Sequence, residues 1–328
     1  MLISYNDDSP EYGMVKEDNH VAEVWAEIEK NFPAYWQSMI NRESPQTLAS
    51  QLSTNGFKVK QAPVNQGAIL NSIFREAFEE YEKESDKYRK FFDREILQEF
   101  EDDDPNAFKA SLRKECPVIR NSVNSPHEVM DEWKQKFIPT KGAELLDVFF
   151  NLLTFAEEFT VKTPDDDFST FDSVTDFNVG ILDEQEYGVQ GVIGAGIKTV
   201  VLYNLNPRVF PLLTKLSMYG LYFLSGRGSF GLPSKTSEFL MISDTKKVKT
   251  KNIPMNHNYW YHYSLVMLYS LRIYRLIEKE CLKHKVSLDP NYRFLYVMRY
   301  FDEIYTENFE NIKTMTGGDE DLTARWYS

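Results

Sequence analysis

A glycine-rich turn beginning at Gly194 has the residue types and spacing that best suit a chemical task. Gly194 and Gly196 stand one residue apart, Lys198 and Thr199 follow, and the sequence then becomes apolar. Such a turn brings backbone N–H groups to the start of a helix, where the helix dipole also favours an anion. The pattern therefore predicts a phosphate site, including a site for nucleic-acid phosphate. The alternative is a glycine turn that only packs one helix against another.

Residues 192–214 resemble the hairpin of helix–hairpin–helix DNA-binding proteins and the segment that follows it in the DNA glycosylase superfamily. The resemblance rests on Gly-Ala-Gly-Ile-Lys-Thr at 194–199 and Phe-Pro-Leu-Leu at 210–213. It implies that Gly194 and Gly196 offer backbone amides to a DNA phosphate. Lys198 occupies the position of the Schiff-base lysine in bifunctional members, whereas Thr214 stands where the catalytic aspartate is expected. The resemblance therefore implies phosphate binding without base excision.

Two further basic segments are candidates for phosphate contact. Arg227 lies in a Gly-Arg-Gly-Ser-Phe-Gly run that has dinucleotide-loop spacing, but the run follows a helix-like segment, so we expect a plain loop with an anion-accessible arginine. The densest basic cluster comprises Lys246, Lys247, Lys249 and Lys251. On a strand, alternate lysines would share one face and form a rail for a phosphate backbone. The alternative is a solvated edge strand whose lysines discourage aggregation.

Acidic residues between 165 and 186 are the candidates for catalysis. Their carboxylates would suit Mg²⁺, but no Asp…Glu-x-Lys spacing appears, and a solvated acidic loop is the alternative. The residues are Asp165, Asp166, Asp167, Asp172, Asp176, Asp183 and Glu186. The two cysteines, Cys116 and Cys281, are too few for a disulfide framework or a cysteine metal site. We expect no metal and no cofactor.

The charge of the chain changes sign near residue 190. Residues 1–190 hold 19 Lys and Arg against 38 Asp and Glu, and residues 191–328 hold 18 against 12. The net charge of −13 for the whole chain does not reveal this asymmetry. The excess of basic residues suggests an anionic partner for the second half. With no signal peptide and no apolar run long enough to span a membrane, we expect a cytoplasmic protein.

The elements that must position these residues are mostly predicted to be helices, because apolar residues recur along the chain with helical spacing. We predict helices over 20–32 (ended by Pro33), 44–52, 68–101, 126–138, 143–159, 212–224 and 259–283, with a last one after Pro290. The stretch 238–251 predicts a β-hairpin whose second strand is the lysine run. The fold class is therefore mainly α, multi-helical, with one small β-hairpin in the C-terminal half.

The charge split also predicts the domain organisation. We expect an acidic helical domain over 1–187, with residues 1–19 loosely ordered, a basic helical domain over 188–313, and a flexible tail over 314–328. Three functions compete. The first is non-catalytic binding of DNA or RNA backbone by the basic half, with a protein partner on the acidic half. The second is a protein-interaction or structural module without nucleic acid, and the third is an enzyme that uses residues 165–186.

Overall fold

The computed structural model describes residues 9–43, 65–126, 130–242 and 255–317. The protein is mainly α-helical with a single two-stranded antiparallel sheet in the described part, which confirms the predicted fold class. The helices are α1 (Pro10–Met14), α2 (Asp18–Arg42), α3 (Gln66–Phe91), α4 (Arg94–Asp103), α5 (Ala107–Glu115), α6 (Pro117–Asn124), α7 (Asp131–Phe137), α8 (Gly142–Lys162), α9 (Asp165–Phe168), α10 (Ala195–Leu205), α11 (Lys215–Leu224), α12 (Tyr263–Lys283), α13 (Arg293–Glu307) and α14 (Phe309–Met315). Among the described residues, no helix has the length and apolar character needed to cross a membrane.

The first described residues are packed, although we expected residues 1–19 to be loosely ordered. Ser9 caps α1 by accepting a hydrogen bond from the Glu11 backbone N–H at 3.3 Å. The Glu11 side chain is buried and accepts from the Ser234 N–H at 2.5 Å. This contact ties the start of the described chain to a loop more than 200 positions away, so residues 9–19 are folded and their Val15 joins the core.

Helix α2 continues through Pro33, where the sequence predicted its end. A proline inside a helix removes one backbone hydrogen bond and strains the preceding turn. The residues beyond it compensate because Trp36, Met39 and Ile40 are all buried. The carbonyl of Phe32 also accepts a hydrogen bond from the Tyr300 hydroxyl at 2.9 Å. Tertiary packing therefore stabilises the part of the helix that follows the proline.

The long helix predicted over 68–101 is divided into α3 and α4 at Phe92 and Asp93. The Asp93 carboxylate accepts from the Glu95 N–H at 2.9 Å and so caps the second helix. Phe92 turns into the core against Phe149, with ring centroids 4.9 Å apart. Both segments are helical as predicted, and the break allows α4 to pack against α8.

The two oppositely charged halves share one hydrophobic core. Helix α2 packs against α11 and α13, α3 packs against α10 and α13, and α8 packs against α10. Buried residues from both halves belong to one continuous cluster. A buried hydroxyl reinforces it, because Tyr81 of α3 donates to the carbonyl of Asn204 in α10 at 3.0 Å. The predicted boundary between residues 187 and 188 falls within this shared core.

The predicted hairpin has a different second strand. Strand β1 (Leu240–Ile242) pairs antiparallel with β2 (Met255–His257), in a register that places Leu240 opposite His257. The lysine run that we expected to form this strand lies outside the described residues. At the C-terminus, α14 extends to Met315 and Thr316 is buried, so the start of the predicted 314–328 tail is folded.

Candidate functional site

The predicted turn at the junction of the halves forms a tight hairpin that leads into a helix. Val189 and Ile193 form an antiparallel bridge, with the Ile193 N–H donating to the Val189 carbonyl at 2.8 Å. Gly191 adopts a φ of +70° at the tip, a conformation that favours glycine. Helix α10 begins at Ala195 with the exposed Gly194 as its N-cap. The prediction that this segment brings backbone amides to a helix start is confirmed.

The side chains of the motif, however, are directed into the protein. Lys198 is 7% exposed, and its Nζ donates to the carbonyl of Leu182. Burial lowers the pKa of Lys198, while the nearby carboxylate of Asp183 acts in the opposite direction. The prediction that Lys198 contacts a phosphate is therefore wrong. Its ammonium instead connects α10 to the acidic segment that precedes the hairpin.

Thr199 has an equally internal role. It is buried, and its Oγ1 accepts a hydrogen bond from the Leu213 N–H at 3.0 Å. The half-buried Gly196 also lies close to the backbone of Leu213. A Cβ at position 196 would be 3.7 Å from the Leu213 carbonyl oxygen. Thr214, at the position of the expected aspartate, is the N-cap of α11. These residues hold two successive helices together, which is the packing alternative stated for the motif.

The segment before the hairpin differs from a helix–hairpin–helix arrangement. It consists of three 3₁₀ turns, Val174–Asp176, Gly180–Asp183 and Gln185–Tyr187, in place of an α-helix. Only the C-terminal side of the described hairpin leads directly into an α-helix. The described structure therefore has an α-helix directly after the hairpin and 3₁₀ turns directly before it.

Arg227 is exposed at the end of α11. Its N–H donates to the carbonyl of Tyr222 at 3.0 Å, and its guanidinium lies over the ring of Phe223 at 5.0 Å. Gly226 and Arg227 both have positive φ, as in a chain reversal that ends a helix. A helix C-terminus carries partial negative charge, which disfavours an anion. The expected plain loop is confirmed, and Lys246, Lys247, Lys249 and Lys251 lie outside the described residues.

Arginines of the basic half pair with carboxylates of the acidic half. Arg293 is 2% exposed and contacts Asp165 at 2.5 Å, and its guanidinium lies over the rings of Phe168 and Tyr274. Further pairs of this kind are Arg208–Asp165, Arg272–Asp172, Arg275–Asp172 and Arg299–Glu43, while Arg42–Glu303 joins an arginine of the acidic half to a carboxylate of the basic half. The charge asymmetry of the sequence is thus partly neutralised within the molecule.

Three of the acidic candidates between residues 165 and 186 serve separate structural contacts. Asp165 and Asp172 bind arginines, while Asp176 accepts from the N–H groups of Asp172 and Ser173 at 2.9 and 2.8 Å. The hydrogen bond from the Asp172 N–H, followed by that from Ser173, lowers the pKa of Asp176. In the part of the chain that the structure describes, no three His, Cys, Asp or Glu side chains form a group that could hold a metal ion.

The two cysteines also have structural positions. Both thiols are free and buried, and burial raises the pKa of each to about 12. A thiol with such a pKa is not ionised at neutral pH and is a poor nucleophile. The interpretation of Cys116 and Cys281 as small core residues is consistent with these surroundings.

A surface cleft between α2 and α12 contains two arginines that the sequence did not single out. Its volume is about 490 Å³, within the range of ligand sites. Arg272 Nε contacts Asp172 Oδ1 at 2.8 Å, and Arg275 Nη1 reaches the same oxygen at 3.4 Å. The apolar part of the lining comprises Val21, Ala22, Trp25, Val174, Leu268 and Leu276. The spacing of 268, 272, 275 and 276 on one helical face is the sequence signal that could have revealed it.

A buried network fixes the α2 wall of this cleft to the C-terminal half. His20 Nε2 is hydrogen bonded to Glu238 Oε2, and Tyr261 donates to the other oxygen of Glu238 at 2.7 Å. Burial acts to lower the pKa of His20, but the hydrogen bond and charge of Glu238 outweigh it, so the pKa is raised. The network therefore favours a protonated His20 and positions the first turn of α2, which carries Asp18 at the cleft.

Comparison of this chain with protein-family models, with curated proteins and with solved structures finds no match.

Proposed function

We propose that the protein is a protein-interaction module and that the cleft between α2 and α12 is its recognition site. The observation that carries the proposal is the composition of the cleft. It combines two arginines with a tryptophan above an apolar lining, and these residue types dominate binding energy at protein interfaces. Arg275 has a third of its side chain exposed at this concave surface, where a partner can reach it.

The internal use of basic groups supports this interpretation over nucleic-acid binding. Lys198 is buried, and Arg293 is bound to Asp165. Nucleic-acid affinity depends on lysines and arginines that can neutralise phosphates. Binding of DNA or RNA backbone through the basic half remains the competing proposal, and it now rests on the exposed Arg227, the amides after Gly194 and the lysines at 246–251.

Selection of random decapeptides displayed on phage tests the proposal. We expect peptides that bind immobilised full-length protein and lose binding to an Ala22→Trp variant, because Ala22 is exposed and lines the cleft that an indole would fill. Ala110→Trp is the matched control, since Ala110 is exposed on α5 and lies outside the cleft lining. If no selected peptide distinguishes the two variants, the cleft is not a recognition site.

A gel-shift titration at low salt distinguishes the protein-interaction proposal from the nucleic-acid proposal. We expect no shift of single- or double-stranded DNA or of RNA by the full-length protein. A shift that weakens steeply with salt would favour the nucleic-acid proposal, because phosphate contacts release counterions. The full chain is required here since both halves share one core.

A further inference from the structure

We propose that the partner of the α2–α12 cleft is an acidic peptide segment whose carboxylate takes the place of Asp172 on Arg272 and Arg275. This inference rests on the function proposed above and names the chemistry of the partner. Asp172 is then an intramolecular competitor, a carboxylate of the chain itself that holds the arginines while the partner is absent.

The contacts of the two arginines are those that a peptide supplies. Arg272 donates to the carboxylate and to the backbone carbonyl of Asp172, both at 2.8 Å. Arg275 donates to the carbonyls of Ser169 and Phe171 at 2.7 and 2.6 Å. Carboxylate and carbonyl oxygens also occur together on any acidic peptide segment. The arginine pair thus already recognises peptide of this kind within its own chain.

The Asp172 carboxylate can leave without unfolding of its loop. Its side chain is 67% exposed, and ion pairs in contact with solvent are weak. The loop is held by other groups, because Phe168 and Phe177 are buried on either side of it. Asp176 also accepts hydrogen bonds from the loop at two backbone N–H groups. Exchange of one carboxylate for another is therefore the least disruptive event at this surface.

The cleft suits a peptide better than a nucleic acid. Ala22, Val174 and Leu276 provide apolar surface for a side chain next to the incoming carboxylate. The indole of Trp25 already has the Arg272 guanidinium over it at 5.6 Å, which hinders stacking of a base on that face. Asp18 in the lining and the net charge of −13 also oppose a polyanion. A short segment with one or two carboxylates meets less repulsion.

The phage selection described above gives the first readout. Among peptides that bind wild-type protein and not Ala22→Trp, we expect enrichment of Asp and Glu over the starting library. The strongest such peptide, labelled with fluorescein, is then titrated by fluorescence anisotropy beside a copy in which each Asp and Glu is replaced by Asn and Gln. We expect the neutral copy to bind about tenfold more weakly or worse, because Arg–carboxylate pairs are charge-assisted hydrogen bonds.

Variants of the protein give the second readout. Asp172→Asn removes the competing charge, so we expect the acidic peptide to bind about threefold or more tightly. Arg272→Gln combined with Arg275→Gln removes the recognition pair, so we expect about a tenfold loss. Arg94→Gln is the matched control, since Arg94 forms an exposed pair with Glu157 on another surface. Circular dichroism verifies that each variant is folded.

The outcomes separate this inference from the function on which it rests. Peptides that need the cleft but show no acidic enrichment would overturn the inference and leave the interaction function standing. The same holds if Asp172→Asn fails to strengthen acidic-peptide binding. Absence of any cleft-dependent peptide would overturn the function itself. If oligonucleotides bound to the same two arginines more tightly than the acidic peptides did, the cleft would instead be a nucleic-acid site.

Discussion

The hairpin at residues 189–199 and the α2–α12 cleft use their basic residues in opposite ways. At the hairpin, the Lys198 ammonium is bonded to the Leu182 carbonyl in the interior. At the cleft, Arg275 has a third of its side chain exposed and holds an exposed carboxylate. The hairpin has the recognisable motif and the cleft has none. The difference shows that a binding motif in a sequence identifies a local turn, whereas tertiary packing decides whether its side chains face a partner.

The largest expected effect concerns His20, which anchors the α2 wall of the cleft. His20→Ala leaves the buried Glu238 carboxylate without its imidazole partner, so we expect a loss of about 3–5 kcal/mol in the free energy of unfolding. Urea denaturation measures it. Because the folded pKa of His20 is raised above its ordinary value of 6.5, the contribution of the pair is fully present below about pH 6.5.

That contribution is lost as the pH rises through the folded pKa of His20. The difference between wild type and His20→Ala is therefore expected to be larger at about pH 6 than at about pH 9. A difference that does not change with pH would contradict a charged His20–Glu238 pair and leave only the packing of the ring.

Lys198→Ala should have the next largest effect. A buried lysine that holds a carbonyl contributes to stability, so we expect a loss of about 2–4 kcal/mol. Lys279→Ala, at an exposed position of α12, is the control and should change the free energy of unfolding by about 0.5 kcal/mol or less. Equal and small effects at both positions would contradict a stabilising role of the buried Lys198 ammonium.

Thr199→Val keeps the shape of the side chain and removes the acceptor for the Leu213 N–H. We expect a loss of about 1–3 kcal/mol because a buried donor is left without its partner. Thr314→Val, at an exposed site on α14, serves as the comparison in thermal unfolding. Should both variants melt alike, Thr199 would not fasten α10 to the chain before α11.

Asp172→Asn should have the smallest effect on stability. Its pairs with Arg272 and Arg275 are exposed to solvent, so we expect a change of about 1 kcal/mol or less. Urea denaturation in parallel with Lys198→Ala checks the contrast between the two regions. A loss as large as that of Lys198→Ala would mean that the arginine pair is a structural clamp and not a recognition site.

Most helices of the described part followed from the sequence because apolar residues recur with helical spacing. Helices α8, α12 and α13 lie where periodicity and the Asp289–Pro290 start signal predicted them. The exceptions have local causes. Pro33 did not end α2 because the turns beyond it are buried, and α3 ended early because Asp93 caps a new helix. The predicted helix over 44–52 lies outside the described residues.

The candidate site was less predictable because it depends on contacts distant in sequence. Asp172 meets Arg272 across 100 residues, and no local pattern reports such a pair. Lys198 was misjudged for the same reason, since its partner Leu182 lies on a 3₁₀ turn that the sequence showed only as acidic loop. Residue types identified which groups could bind an anion, but not which of them would be occupied within the chain.

The hydrogen bond between Tyr300 and the Phe32 carbonyl spans 268 residues and constrains how the chain can fold during its synthesis. At roughly 5–20 residues per second, synthesis from the end of α2 to the start of α13 takes about 13–50 s. During that interval Phe32 and Trp36 lack Tyr300 of α13, the ring against which both of them pack. Chains truncated before residue 293 are therefore expected to bind chaperones, and released chains that include residue 317 are expected to resist protease.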